Sequence, residues 1–215
     1  MLNCGLGTLM LPAGGVFLII KADSLLGIFP QDSPLLSLIM CAGICMMASM
    51  NDITAPSVSL EGKTLWLTQS LPVSGWQVLK SKLTLHMLIT AIPAFVCMLV
   101  LAVVLKVDPV STLLLLVFSV IYVLLCAALG LMINLKLPNL NWTNETVAVK
   151  QSASVIVAML ANWGIAFLLI IGYIFLGAKL SQGLFLLLCT LLSAAASALA
   201  LLWLKKRGQK ILAHL

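Results

Sequence analysis

Charge is what this sequence has least of. Only 8% of its 215 residues are Asp, Glu, Lys or Arg, and just 6 are acidic, whereas an average soluble domain carries about a quarter charged residues. With 62% hydrophobic residues and a mean hydropathy of +1.20, the chain reads as an all-α polytopic membrane protein. Inside the apolar runs the lack is nearly complete: no Asp, Glu, Lys or Arg is expected at membrane depth, and only His86 stands near one edge. Ion-coupled pathways need a buried ionisable group, and intramembrane enzymes need a nucleophile, an acid–base pair or metal ligands. None of these is offered, so no enzymatic activity is expected of this chain. His86 has no carboxylate or second His at helical spacing and reads as a helix-end residue.

Metal and cofactor signals are missing as well. The 6 cysteines form no CxxC and have no nearby His. Cys41 and Cys45 share a helix face, but two ligands make no tetrahedral site, so the cysteines read as small packing residues. No GxxxxGK[ST] loop is present, so any ATP used must be bound by another subunit. The net charge of +6 would suggest nucleic acid in a soluble protein. Here the lysines flank apolar runs, where they set orientation and meet lipid headgroups, and no nucleic-acid partner is expected.

What is present is six apolar runs, at about 2–20, 35–50, 83–105, 110–133, 152–176 and 184–204. Pro12, Gly14 and Gly15 in the first and Pro93 in the third are tolerated where neighbouring helices re-satisfy the backbone. The first run lacks a basic n-region and a cleavage site before Lys21, which argues against a secretory signal. Cys41, Ala42, Gly43, Cys45, Ala48 and Ser49 in the second favour close helix packing and a central place in the bundle. Asn162, a lone amide in mid-helix, is either a substrate-pathway candidate or an interhelical hydrogen bond.

Lysine and arginine positions orient the chain. With both ends in the cytosol, Lys63, Lys80, Lys82, Lys136, Lys150, Lys205, Lys206, Arg207 and Lys210 lie inside, against Lys21, Lys106 and Lys179 outside. That asymmetry satisfies the positive-inside rule. Two polar intervals, 52–82 and 134–150, and a basic tail, 205–215, are then cytosolic parts of one domain covering 1–215. The glycosylation patterns at Asn141 and Asn144 would lie on the wrong face.

The first interval is organised for contact. Ser57 and Ser59 can cap a helix, which runs uninterrupted to Gln69 with Leu60, Thr64, Leu67 and Leu71 on one face. Leu71-Pro72 ends it. Ser74 with Gln77 three residues on is a capping box opening a new helix that runs into the third span. Leu60, Trp66, Leu67 and Leu71 supply an apolar ridge with Glu61 and Lys63 as its charged surround, and Gly62 permits close approach. An interfacial helix lying among lipid headgroups, with Trp66 and Trp76 as belt residues, is the alternative.

The run Ser59-Leu60-Glu61-Gly62-Lys63, Trp66, Ser70-Leu71-Pro72-Val73-Ser74, Leu79-Lys80 and Lys82 resembles the cytosolic signature of bacterial ABC exporter permeases. Asn134-Leu135-Lys136-Leu137-Pro138, with Trp142, Glu145 and Lys150-Gln151-Ser152, is similar to their second cytosolic loop. The resemblance implies six transmembrane helices and a coupling helix between helices 2 and 3 that sits on a cytosolic ABC-type ATPase through Leu60, Glu61, Gly62, Lys63, Trp66, Leu67, Ser70, Leu71, Pro72 and Ser74. It also implies a bacterial cell membrane location, lipid contact, and a second permease copy or companion half, because the chain looks like the second half of a longer permease or a half-size subunit. A secondary transporter, a channel subunit and a non-transporting scaffold are the rival readings, and the substrate is not legible.

Overall fold

A computed structural model describes residues 11–17, 20–21, 34–104, 106–150, 152–176 and 180–215. The first span lies mostly outside them, with residues 11–17 helical (α1). There follow α2 (Pro34–Ser49), a 3-10 turn (Ser59–Thr64), α3 (Leu65–Ser70), α4 (Gly75–Val104), α5 (Pro109–Lys136), α6 (Glu145–Lys150), α7 (Ala153–Leu176) and α8 (Gln182–Trp203). A π-helical turn (Leu204–Gly208) carries α8 into α9 (Gln209–His214). The described chain is helical throughout its regular structure.

Four stretches are long and apolar enough to cross a membrane: Gly75–Val104, Pro109–Lys136, Ala153–Phe175 and Gln182–His214. They mark the chain as a membrane protein. Leu113, Leu168, Phe175 and Leu199 stand exposed on their outer faces, which suits hydrocarbon and would not suit water. The second apolar run is helical, but its 16 residues reach only about 24 Å, short of the roughly 30 Å hydrocarbon core.

Helix α5 is the hub, packing on α2, α4, α7 and α8. Its start is fixed by Asp108, whose carboxylate accepts from the amides of Val110 and Ser111, with Pro109 in the first turn. Along it Leu115, Phe118, Tyr122, Cys126, Ala127, Leu131 and Leu135 are buried. α2 packs against α7, α5 and α4 with Cys41, Ala42, Cys45 and Ala48 inward, so its small residues do bring it into the bundle.

Two apolar cores result. One gathers Cys45, Ala94, Met98, Phe118 and Tyr122; the other gathers Val58, Leu79, Leu83, Leu131, Leu135, Leu204 and Leu212 toward the ends bearing the lysines. Between them lies a polar layer holding Ser49, Asn51, His86, Thr90 and Asn162, all fully buried.

The expected third span begins earlier than its apolar run. The helix starts at Gly75 because the capping box forms: the Ser74 amide donates to Gln77 Oε1 at 2.8 Å, and the Gln77 amide donates to Ser74 Oγ at 3.3 Å. Pro93 lies inside this helix without ending it. At the other end the basic residues do not stop the helical path, which continues to His214.

Candidate docking and coupling site

The expected single helix from Ser57 to Gln69 is two pieces. The break is Gly62, at φ 45° and ψ −122°, a backbone region open in practice only to glycine. Its cause lies eighty residues away in sequence. The Trp142 indole donates to the Ser59 carbonyl at 2.6 Å, and a Cβ on Gly62 would sit 2.9 Å from Trp142 Nε1. Nor do the two serines cap. Ser57 Oγ donates to the Thr54 carbonyl, and Ser59 Oγ accepts from Asn134 Nδ2 and the Asn139 amide.

The break sorts the expected docking residues into two sets. Trp66, Leu67 and Leu71 are 66%, 53% and 52% exposed, and Val73, Ser70, Pro72 and Ser74 are exposed beside them. Leu60 is half-buried and Gly62 is buried, so neither joins that ridge. Glu61 turns inward as well, pairing with Lys82 of α4 at 2.6 Å, while Lys82 Nζ also donates to the Ser57 carbonyl at 2.8 Å. Its charge is used within the chain and not as a surround for a partner. The Lys63 side chain lies outside the described residues.

The segment that carries the ridge is fastened to its neighbours. Asn134, at the end of α5, accepts from the amides of Val58 and Ser59 at 2.7 and 3.2 Å and donates to Ser59 Oγ and Ser154 Oγ. Ser154, in the first turn of α7, donates to the Ala55 carbonyl. Gln69 of α3 donates to the Leu212 carbonyl of α9 at 2.9 Å. The two polar intervals, separate in sequence, therefore meet at Ser59, Gly62, Asn134 and Trp142. Sequence reading missed Asn134 as a bonding centre because it stands at the edge of a polar interval.

The same reading placed Asp52 in water, and here the structure corrects it. The connector 50–58 folds back among the helices: Asn51, Thr54, Ala55 and Val58 are fully buried, and Gly130 of α5 lets Thr54 approach, since a Cβ there would lie 2.7 Å from Thr54 Oγ1. Asp52 Oδ1 accepts from Asn162 Nδ2 at 3.3 Å. Asn162 lies nine residues into α7, about 14 Å from its start. The Asn162 carbonyl accepts from Tyr122 Oη, which also contacts Ser49 Oγ, and Asn51 donates to Thr90. Burial pushes the Asp52 carboxyl up to about 7, opposed by the Asn162 amide. Asn162 Oδ1 and both His86 ring nitrogens are buried without a hydrogen-bond partner. The signal was available: Asp52 stands only two residues beyond the end of the second apolar run.

Among the described residues no cluster of three or more potential metal ligands occurs. Comparison of the chain with protein-family models, curated proteins and solved structures finds no match in any of the three.

Gly62→Ala tests the joint directly. The added methyl meets both the backbone strain and the Trp142 ring, so a loss of about 2 kcal/mol in unfolding free energy is expected, read as a lower thermal midpoint in detergent. An unchanged midpoint would mean that the turn relaxes freely.

Proposed function

We propose that the chain is the membrane subunit of a bacterial ATP-driven exporter, with six spans, both ends in the cytosol, and a separate ABC-type ATPase docked on α3. A second copy or companion half would complete the pathway. The observation that carries this reading is the ridge of Trp66, Leu67 and Leu71, exposed on and just after a short helix that, together with the turn and connector before it, is tied to four other helices. An apolar ridge entering a partner's groove supplies affinity. Rigid ties let a displacement of the ridge tilt the spanning helices as bodies: the Glu61–Lys82 pair and the Ser74 box lead to α4, Asn134 to α5 and α7, and Gln69 to α9.

Trp66→Ala with Leu71→Ala should lower co-purification of a P-loop ATPase with the tagged protein at least tenfold, with membrane insertion intact. Undiminished co-purification would end the docking assignment. One observation favours a second reading, a proton-coupled carrier: Asp52 lies beside Asn162 inside the bundle, where an ionisable group is a pathway candidate. Transport in ATP-free vesicles that follows a pH gradient and is lost in Asp52→Asn would select it.

A further inference from the structure

We infer that the groove between α4 and α8 holds an anionic membrane phospholipid, its phosphate between Lys80 and Lys205 and its acyl chain lying down toward Leu88. The inference requires only that the chain sits in a bilayer, so it stands apart from the docking of an ATPase. The groove exists because α4 and α8 both pack on α5 and leave a cavity of about 680 Å³ between them, with Leu124 of α5 in its lining. Its polarity is graded along its length. α4 enters at Lys80 and reaches Leu88 two turns further on, about 12 Å, while α8 and the π-helical turn that continues it run the opposite way from Ala198 to Lys205, about 10 Å. Both lysines therefore stand at one end, with Trp76 beside them, and below them the lining side chains are apolar apart from Thr84.

That is the profile of an amphiphile with a negative head. The lining contains two lysines and no acid, so a phosphate whose charge is uncompensated fits better than a zwitterionic headgroup. Trp203, with Lys136 stacked over its ring at 5.2 Å, and exposed Lys206, Arg207 and Lys210 place the same level at a basic and aromatic membrane interface. Leu88 and Leu202 are both more than half exposed, so the groove opens sideways toward lipid.

The test uses the full chain, delipidated in detergent and titrated with phosphatidylglycerol or phosphatidylcholine of identical acyl chains, with bound lipid counted by native mass spectrometry. Phosphatidylglycerol should bind about tenfold more tightly. Lys80→Gln with Lys205→Gln should bring the two lipids within twofold, whereas Lys206→Gln with Lys210→Gln should keep the preference. Ala198→Trp should fill the groove and lower retention of both lipids. A preference that survives Lys80→Gln with Lys205→Gln, or falls equally in the control pair, overturns the inference by assigning the effect to diffuse charge. Retention unaffected by Ala198→Trp overturns it by placing lipid elsewhere. Displacement of the phosphatidylglycerol by millimolar inorganic phosphate overturns it too, since the site would then read phosphate without a chain.

Discussion

Asn134→Ala is expected to lower the unfolding free energy by about 4 kcal/mol, a larger loss than any other side-chain truncation in the bundle's polar joints. The side chain uses its whole hydrogen-bonding capacity, two acceptor positions and two donors, on Val58, Ser59 and Ser154. All of these partners are buried. Alanine would leave two backbone amides without an acceptor, and each buried orphan costs about 1–3 kcal/mol. Ser59→Ala removes one of the same bonds, so the double variant should cost less than the sum of the singles by about 1 kcal/mol. Thermal or SDS-driven unfolding followed by Trp fluorescence reads both numbers. A loss below 1 kcal/mol for Asn134→Ala would mean that the connector 50–58 is held by its apolar contacts alone.

The consequence reaches past stability. Asn134 is the point where a residue on α5 holds both the connector and the start of the 3-10 turn, and the exposed ridge of α3 hangs from that turn. Loosening it should leave Trp66 and Leu71 present but no longer aimed. A docking partner would then meet the right residues in a scattered geometry, and ATPase retention should fall in Asn134→Ala even in molecules that remain inserted.

What could be read from the sequence was whatever depends on neighbours in the chain. The apolar runs behind α4, α5, α7 and α8 needed only composition. The start of α4 at Ser74 needed only a Ser and a Gln three residues apart, and the exposed ridge needed only the spacing of Trp66, Leu67 and Leu71. What could not be read was set by contacts across the fold. Gly62 looks like any glycine in a helix until Trp142 is placed over it. Glu61 looks like a free surface acid until Lys82, on a different helix, reaches it. Asn134 looks like the first residue of a loop, yet it is helical and buried. Asp52 was misplaced for a related reason: a polar insert was treated as one solvated block, when its first eight residues are buried or half-buried among the helices and the exposed residues begin at Thr64.

Asp52 gives the last expected result, a stability that falls as pH rises. Its carboxyl sits near an ordinary value of 3.8 in the unfolded chain and is pushed up to about 7 by burial in the fold. Between those values the folded form keeps a proton that the unfolded form has lost, so the slope of unfolding free energy with pH is negative there and flat on either side. The groups facing it are the Asn162 amide and the Cys126 thiol, and no described lysine or arginine lies within ion-pair distance, the Glu61–Lys82 pair being elsewhere. Only the Asn162 amide opposes the cost of ionising it, and burial outweighs that bond. The loss from pH 4 to pH 8 should be about 4 kcal/mol, visible as a falling thermal midpoint in detergent. Asp52→Asn keeps a hydrogen-bonding partner for Asn162 and removes the titration. It should match the parent at pH 4, exceed it by about 4 kcal/mol at pH 8, and show no slope between. If the variant keeps the parent's slope, another group is titrating. If the parent shows no slope at all, the carboxylate reaches water, and the connector is then the solvated insert that composition alone would make it.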